Sequence, residues 1–226
     1  MTAFAETTVT VVAPTGAVED EIVRVLQRDG ARLVAADQGS NAGIFIAGSP
    51  REYGLRPLDV GTYVREILDR AGALLHSISL DETRSRSITL IAPSAGQTLH
   101  GGLEATSAAI GALKGFSRAV VVKYGDRGLR SNVILPGIYE TDAESVEALP
   151  SIPLIRDRGV FTRPGDVAEC AAFLVSEDAG YISGAEFDVD GALSEDRHSA
   201  MSVLWSKNIL AAGPNPVEAI LMRSSL

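Results

Sequence analysis

The sequence predicts an α/β fold, a doubly wound and mainly parallel sheet with helices on both faces. Three observations predict it. Short β-branched runs alternate along the chain with segments of helical spacing. The first run, 7–13, is uncharged, as a strand covered on both sides is. The chain is 46% hydrophobic yet only 5% aromatic, a balance of small aliphatic side chains that suits helices packed tightly on a sheet.

The elements follow in order. Residues 7–13 are β-branched and uncharged, a buried strand, and Pro14-Thr15-Gly16 turns the chain. Ile22, Val23, Val25 and Leu26 recur at helical spacing over 18–29, and Gly30 stops that helix. Residues 31–36 form a second strand ending in Asp37, and residues 43–47 a third. A helix over 60–79 carries Val64, Ile67, Leu68, Ala71, Leu74 and Leu75. Residues 87–92 are a strand, 93–102 a loop, and 103–124 a long helix with small residues on several faces. A strand over 131–135 is closed by Pro136-Gly137, and 138–163 is irregular or partly helical. Arg163-Pro164-Gly165-Asp166 opens a helix to about 176, and 186–189 is the last strand. Only Gln38–Ala42 separate Asp37 from the third strand. A parallel crossover usually needs a dozen or more residues, whereas five extended residues span at most about 18 Å. Either the second strand is short or this edge has a rearranged topology.

Composition excludes several functions. The net charge of -9 repels phosphate backbones and anionic lipid, so neither nucleic acid nor membrane is an expected partner. No apolar run approaches the roughly 20 residues of a membrane span, and no signal peptide is visible at the start. The single cysteine, Cys170, fits a reducing cytoplasm and reads as an inert helix-packing thiol. His76, beside Leu74 and Leu75, reads as packing, and His198 has no assignable role. The three histidines and the cysteine show no metal-ligand spacing. Residues 1–193 are expected to form one domain. Residues 194–226 form a C-terminal extension whose Trp205, Ile209, Leu210, Ile220, Leu221 and Met222 suit packing on that domain or on a partner subunit.

The stretch from Gly115 through Lys123-Tyr124-Gly125 and Arg130-Ser131-Asn132 to Pro136-Gly137 resembles the short-chain dehydrogenase/reductase family nearly position for position. So do Arg163-Pro-Gly-Asp-Val-Ala168 and the run from Phe173 through Asp190-Gly191. The resemblance implies a Rossmann-like sheet, shortened at its first-half edge by one strand and its flanking helices, in a degenerate and truncated member. It also implies that helices at about 103–124 and 166–176 pair subunits, in a homo-oligomer or with an intact relative.

In that family a Thr-Gly, three residues, Gly, one residue, Gly turn brings backbone close to a diphosphate at a helix N-terminus. Here Gly16 remains, but Glu19, Asp20 and Glu21 follow, the turn is about three residues shorter, and carboxylates there repel a diphosphate. Asp37 matches the acid that holds the adenine ribose, and equally suits a solvated turn. The family's catalytic Tyr and Lys positions fall on Thr106 and Ile110, and no Asn stands near Arg70 or Ala71. A threonine hydroxyl is too weak an acid to replace a tuned phenol, and isoleucine carries no charge. Ser94 lies about where the family serine would be, and His100 could act as a base near pH 7. The remnant pocket is therefore Ser94, His100 and Thr106, bordered by Glu104, with Gly16 and Asp37 as cofactor remnants and no cofactor expected. Three readings follow: a non-catalytic subunit; a cofactor-independent lyase, isomerase, hydrolase or dehalogenase; or an NAD(P)-dependent oxidoreductase drawing on Tyr124, Tyr139 or Tyr181. The first is preferred.

Overall fold

The computed structural model describes residues 4, 7–14, 16–48, 59–78, 86–93, 104–139, 161–192 and 194. Their elements are β1 (Thr8–Val12), α1 (Ala17–Arg28), β2 (Arg32–Leu33), a 3-10 turn (Ala36–Gln38), β3 (Ala42–Ile46), α2 (Val60–Ser77), β4 (Arg86–Ile91), α3 (Glu104–Tyr124), β5 (Leu129–Pro136), α4 (Pro164–Val175) and β6 (Glu186–Val189). The strands form one parallel six-stranded sheet in the order β2-β1-β3-β4-β5-β6. Side-chain alternation splits the apolar residues between two cores. Ile44, Ile46, Ile91 and Ile134 join α1 and α4 on one face. Phe45, Ile88, Leu90 and Val133 join α2 and α3 on the other. The doubly wound expectation holds.

Two expectations are corrected at the strand ends. The strand expected over 31–36 pairs only at Arg32 and Leu33, and the one expected over 131–135 extends to Leu129–Pro136. The short β2 explains the short connection. Leu33 and Ala42 both sit level with Val9 of β1, so the eight residues between them need not travel the length of the sheet. They cross one strand and are held on the way. The Val34 amide donates to the Val9 carbonyl at 3.0 Å and the Asn41 amide to the Thr8 carbonyl at 3.0 Å. The Thr8 hydroxyl donates to Asn41 Oδ1 at 2.8 Å and accepts from the Asn41 amide at 3.0 Å. The Ser40 amide donates to the Ser77 carbonyl at the last turn of α2, at 3.2 Å.

The second half is joined by buried polar side chains. Arg130, 6% exposed, donates to the carbonyls of Leu174, Ser176 and Ile182 at 3.0, 3.0 and 3.2 Å. Burial lowers its pKa. The bonds to the last turn of α4 place the cation at the negative end of the helix dipole. Asn132 ties β5 to the loop before β6, donating to the Ile182 carbonyl and accepting from the Ala185 amide, each at 3.0 Å. Gly137 is needed where β5 ends, because a Cβ there would lie 2.6 Å from Thr162 Oγ1 and 2.9 Å from Asp190 Cα. On α4, Pro164 takes the first helical position and the Asp166 carboxylate accepts from the Arg163 amide at 3.3 Å. Arg28 at the end of α1 forks onto Glu169 of α4 at 2.6 and 2.9 Å, docking the two helices.

Replacing Arg130 with Met leaves three carbonyls without their donor, and urea unfolding should show a loss of about 3 kcal/mol. Ala192 adopts φ 68° in the turn after β6, held by Asp190, whose carboxylate accepts from the Ala192 and Ser194 amides at 2.9 and 2.7 Å. A left-handed conformation is costly for a residue with a Cβ, so Ala192→Gly should raise the stability measured the same way by about 1 kcal/mol. Burial pushes the Cys170 thiol up to about 11, as expected of an inert packing residue. Iodoacetamide should label the folded protein slowly at pH 8 and the urea-unfolded chain at the rate of a free thiol.

Candidate functional site

In a sheet of this kind ligands sit outside the carboxyl ends of the strands, where the strand order reverses. Here the reversal falls between β1, whose chain continues outward to β2, and β3 on its other side. The described edge comprises Ala13, Pro14 and Gly16 after β1, Ala47 and Gly48 after β3, Ala92 and Pro93 after β4, and Gly137–Tyr139 after β5.

Gly16 precedes α1 with φ 172° and ψ 176°, extended backbone open to any residue. A Cβ placed on it would meet nothing within 4 Å, so neither conformation nor close approach calls for glycine. The first turn of α1 carries Glu19 and Asp20. Burial, and then the neighbouring Asp20 charge, raise the Glu19 pKa. Beside it, a groove of about 570 Å³ separates the starts of α1 and α4 and is lined by Asp20, Glu21, Arg24, Arg163 and Asp166 among others. Its cations are engaged within their own helices, Arg24 with Glu21 at 2.6 Å and Arg163 with Asp166 at 3.5 Å.

Asp37 stands in a different connection from Gly16. It is exposed in the 3-10 turn between β2 and β3, which packs against α2. The same connection is bonded at Ser40 to the last turn of α2, at the amino side of the sheet. Among the described residues Gly16 precedes α1, whose first turn carries Glu19 and Asp20, and Asp37 stands in a separate 3-10 turn.

Thr106 and Ile110, at the positions of the family's proton-transfer pair, are 5% and 6% exposed. Ile110 packs with Ala105, Ala109 and Leu113 in the α2/α3 core. Ser94 and His100 lie outside the described residues. The three alternative phenols are scattered. Tyr124 ends α3 beneath the Lys123 ammonium, 5.0 Å from its ring centre. Tyr139 is nearly buried after β5, and Tyr181 is fully exposed on the turn before β6. His76 is exposed, its Nδ1 2.6 Å from the Gly72 carbonyl, which corrects the packing expectation. The buried stripe of α2 runs through Tyr63, Ile67, Ala71 and Leu74, and two further residues turn His76 about 200° away from Leu74. Tyr63 escaped the sequence reading. It is fully buried and its hydroxyl donates to the Gly48 carbonyl at the end of β3. The signal was present in the spacing of Tyr63 from Ile67 and Ala71. Among the described residues no cluster of three or more His, Cys, Asp or Glu could hold a metal. No described helix is long and apolar enough to cross a membrane.

Comparisons with known proteins agree with this architecture. The family model described as enoyl-(acyl carrier protein) reductase matches residues 73–194, more than half of the chain. A cis-4-hydroxycyclohexanecarboxylate dehydrogenase of Sinomonas cyclohexanicum is 29% identical over 76% of this chain and 72% of its own. A cyclic-di-GMP-binding biofilm dispersal mediator protein of Escherichia coli is 28% identical over 83% of this chain and 78% of its own. The first curated relatives match over only 31%, 34% and 42% of their own lengths. Among solved structures, an oxidoreductase of the short-chain dehydrogenase/reductase family from Burkholderia thailandensis superposes with a TM-score of 0.62 at 22% identity, covering 84% of this chain and 93% of that one. With its parallel sheet, its Pro136-Gly137 turn and the matched stretch from 73 to 194, the chain belongs to the short-chain dehydrogenase/reductase family.

Proposed function

We propose that the chain is a non-catalytic member of this oxidoreductase family, a subunit that pairs with an intact family dehydrogenase or with itself and transfers no hydride of its own. The observation that carries the reading is the occupancy of the proton-transfer positions. Thr106 and Ile110 stand there, and both are packed away from solvent. A buried threonine hydroxyl cannot exchange protons near neutrality, and an isoleucine cannot tune one. The carboxylates at the start of α1 support the same reading. Related chains are not all named for catalysis: beside the dehydrogenases stand the cyclic-di-GMP-binding protein and Protein FixR of Bradyrhizobium diazoefficiens, 38% identical over 54% of this chain. Dehydrogenase names among the relatives are the counterweight, and they make the absence of a cofactor a matter for direct measurement.

Pairing is assigned to the outward faces of α3 and α4. Ser107, Gly111 and Gly115 leave one side of α3 shallow, and Val122 is 88% exposed beside them. On α4, Phe173 is 42% exposed. The turn at Ala192 and Ser194 is held by Asp190, and the C-terminal extension that begins there is assigned to packing on the domain or on the partner. Two measurements test the reading. Native mass spectrometry of the chain co-expressed with an intact family dehydrogenase should show a heteromer or a homo-oligomer, and Val122→Asp should weaken it. Steady-state assays of the isolated chain should show no NAD(P)H oxidation above buffer. A monomer that turns over NAD(P)H overturns the proposal. So does lyase, isomerase, hydrolase or dehalogenase turnover that is lost on Ser94→Ala or His100→Ala.

A further inference from the structure

Two large apolar side chains are left exposed where α4 ends. Phe173, in its last turn, is 42% exposed, and Tyr181, on the turn into β6, is fully exposed. The apolar surface continues along β6, the edge strand of the sheet, where Phe187 and Val189 pack only partly against the α1/α4 core. A contiguous apolar patch marks an interaction surface where scattered single residues do not. Glu177 and Asp178 stand exposed in the 3-10 turn between Phe173 and Tyr181. No ion pair among the described residues engages either of them.

The chain continues from Ser194, which Asp190 holds at the carboxyl end of β6. Beyond it Met201, Leu204, Trp205 and Ile209 recur at the spacing of one helical face. From Arg197 to Val217 the sequence carries Arg197, His198 and Lys207 and no carboxylate, a charge opposite to that of Glu177 and Asp178. From Ala185 to Asp190 the strand rises about 17 Å. The stretch from Ser194 to Trp205 covers about 16 Å if helical and about 36 Å if extended, so either conformation brings Trp205 back to the start of β6. A segment tethered this closely meets the patch at about millimolar effective concentration, which favours it over a second molecule.

We propose that residues 201–210 dock on the α4/β6 edge of their own chain, with Trp205 seated on Phe173 and Tyr181 and Lys207 set toward Glu177 and Asp178. The inference rests on the assignment of the C-terminal extension to packing and names its seat. It closes the end of α4 and leaves α3 as the pairing face. Trp205 is the single tryptophan of the chain, so its fluorescence reports this contact alone. In the full-length protein its emission should lie to the blue of the urea-unfolded chain, and acrylamide should quench it less. Tyr181→Lys should move the emission at least halfway to the unfolded wavelength, and Phe173→Lys should shift it in the same direction. Asp69→Lys, an equal charge change at an exposed position of α2, should leave it in place. Emission at the unfolded wavelength in the wild type overturns the proposal. So does emission that ignores both substitutions in variants that circular dichroism shows to be folded. Emission that moves to the red on dilution assigns the seat to the tail of a second copy and overturns docking within one chain. The wild-type spectrum and its dilution series stand without any variant. NAD(P)H turnover would refute the non-catalytic reading and leave this one in place, because no fluorescence readout depends on hydride transfer.

Discussion

The second half of the domain depends on one buried cation. Arg130 enters the interior without a carboxylate partner among the described residues and is held by carbonyls from the last turn of α4 and the loop into β6. A charge removed from water is costly unless its hydrogen bonds are made. Holding it here fixes where α4 ends and where β6 begins. Asn132, one side-chain step along the same strand, bonds the same loop. Gly137 then lets Thr162 and Asp190 close against the end of β5. Two residues of β5 and the glycine that follows it thus help set how α4 and β6 sit on the sheet.

Arg86 makes a related arrangement on the other face. It starts β4, is 1% exposed, and donates to the Arg127 carbonyl at 2.7 Å, just past the end of α3. Two guanidiniums at the amino ends of adjacent strands thus meet the carboxyl ends of helices on opposite faces. Each helix end offers carbonyls and a partial negative charge, which offset the burial of a cation. Glu186 of β6 adds an exposed tie, pairing with Lys114 and Arg118 of α3 at 2.8 and 2.7 Å. The Lys114 hydrogen bond and charge, with Arg118 behind them, hold its carboxyl below the usual range. These ties join the second half of the sheet to α3 and α4.

Much of the fold was legible because it is written in local chemistry. The Arg163-Pro164-Gly165-Asp166 run announced a helix start, and Pro164 and Asp166 occupy the positions that run implies. The short apolar run 43–47 announced a strand, and the structure buries Ile44 and Ile46 on one face and Phe45 on the other. The site was less legible. Thr106 and Ile110 could be read as substitutions, but their burial depends on how α3 lies against α2 and the sheet. Tyr63 belongs to a helical stripe that sequence spacing contained, while its bond to Gly48 could not be foreseen from either residue.

The sequence by itself determined the parallel two-faced sheet and the family likeness of the second half. Each rests on residue type within a short window, where periodicity, capping and turn chemistry act. The tertiary structure alone decided that β2 pairs only at Arg32 and Leu33, and that the turn carrying Asp37 packs against α2. Those outcomes hang on pairings such as Thr8 with Arg32 and Val9 with Ala42. Such contacts join residues far apart in the chain, and no local pattern records the level at which two strands meet.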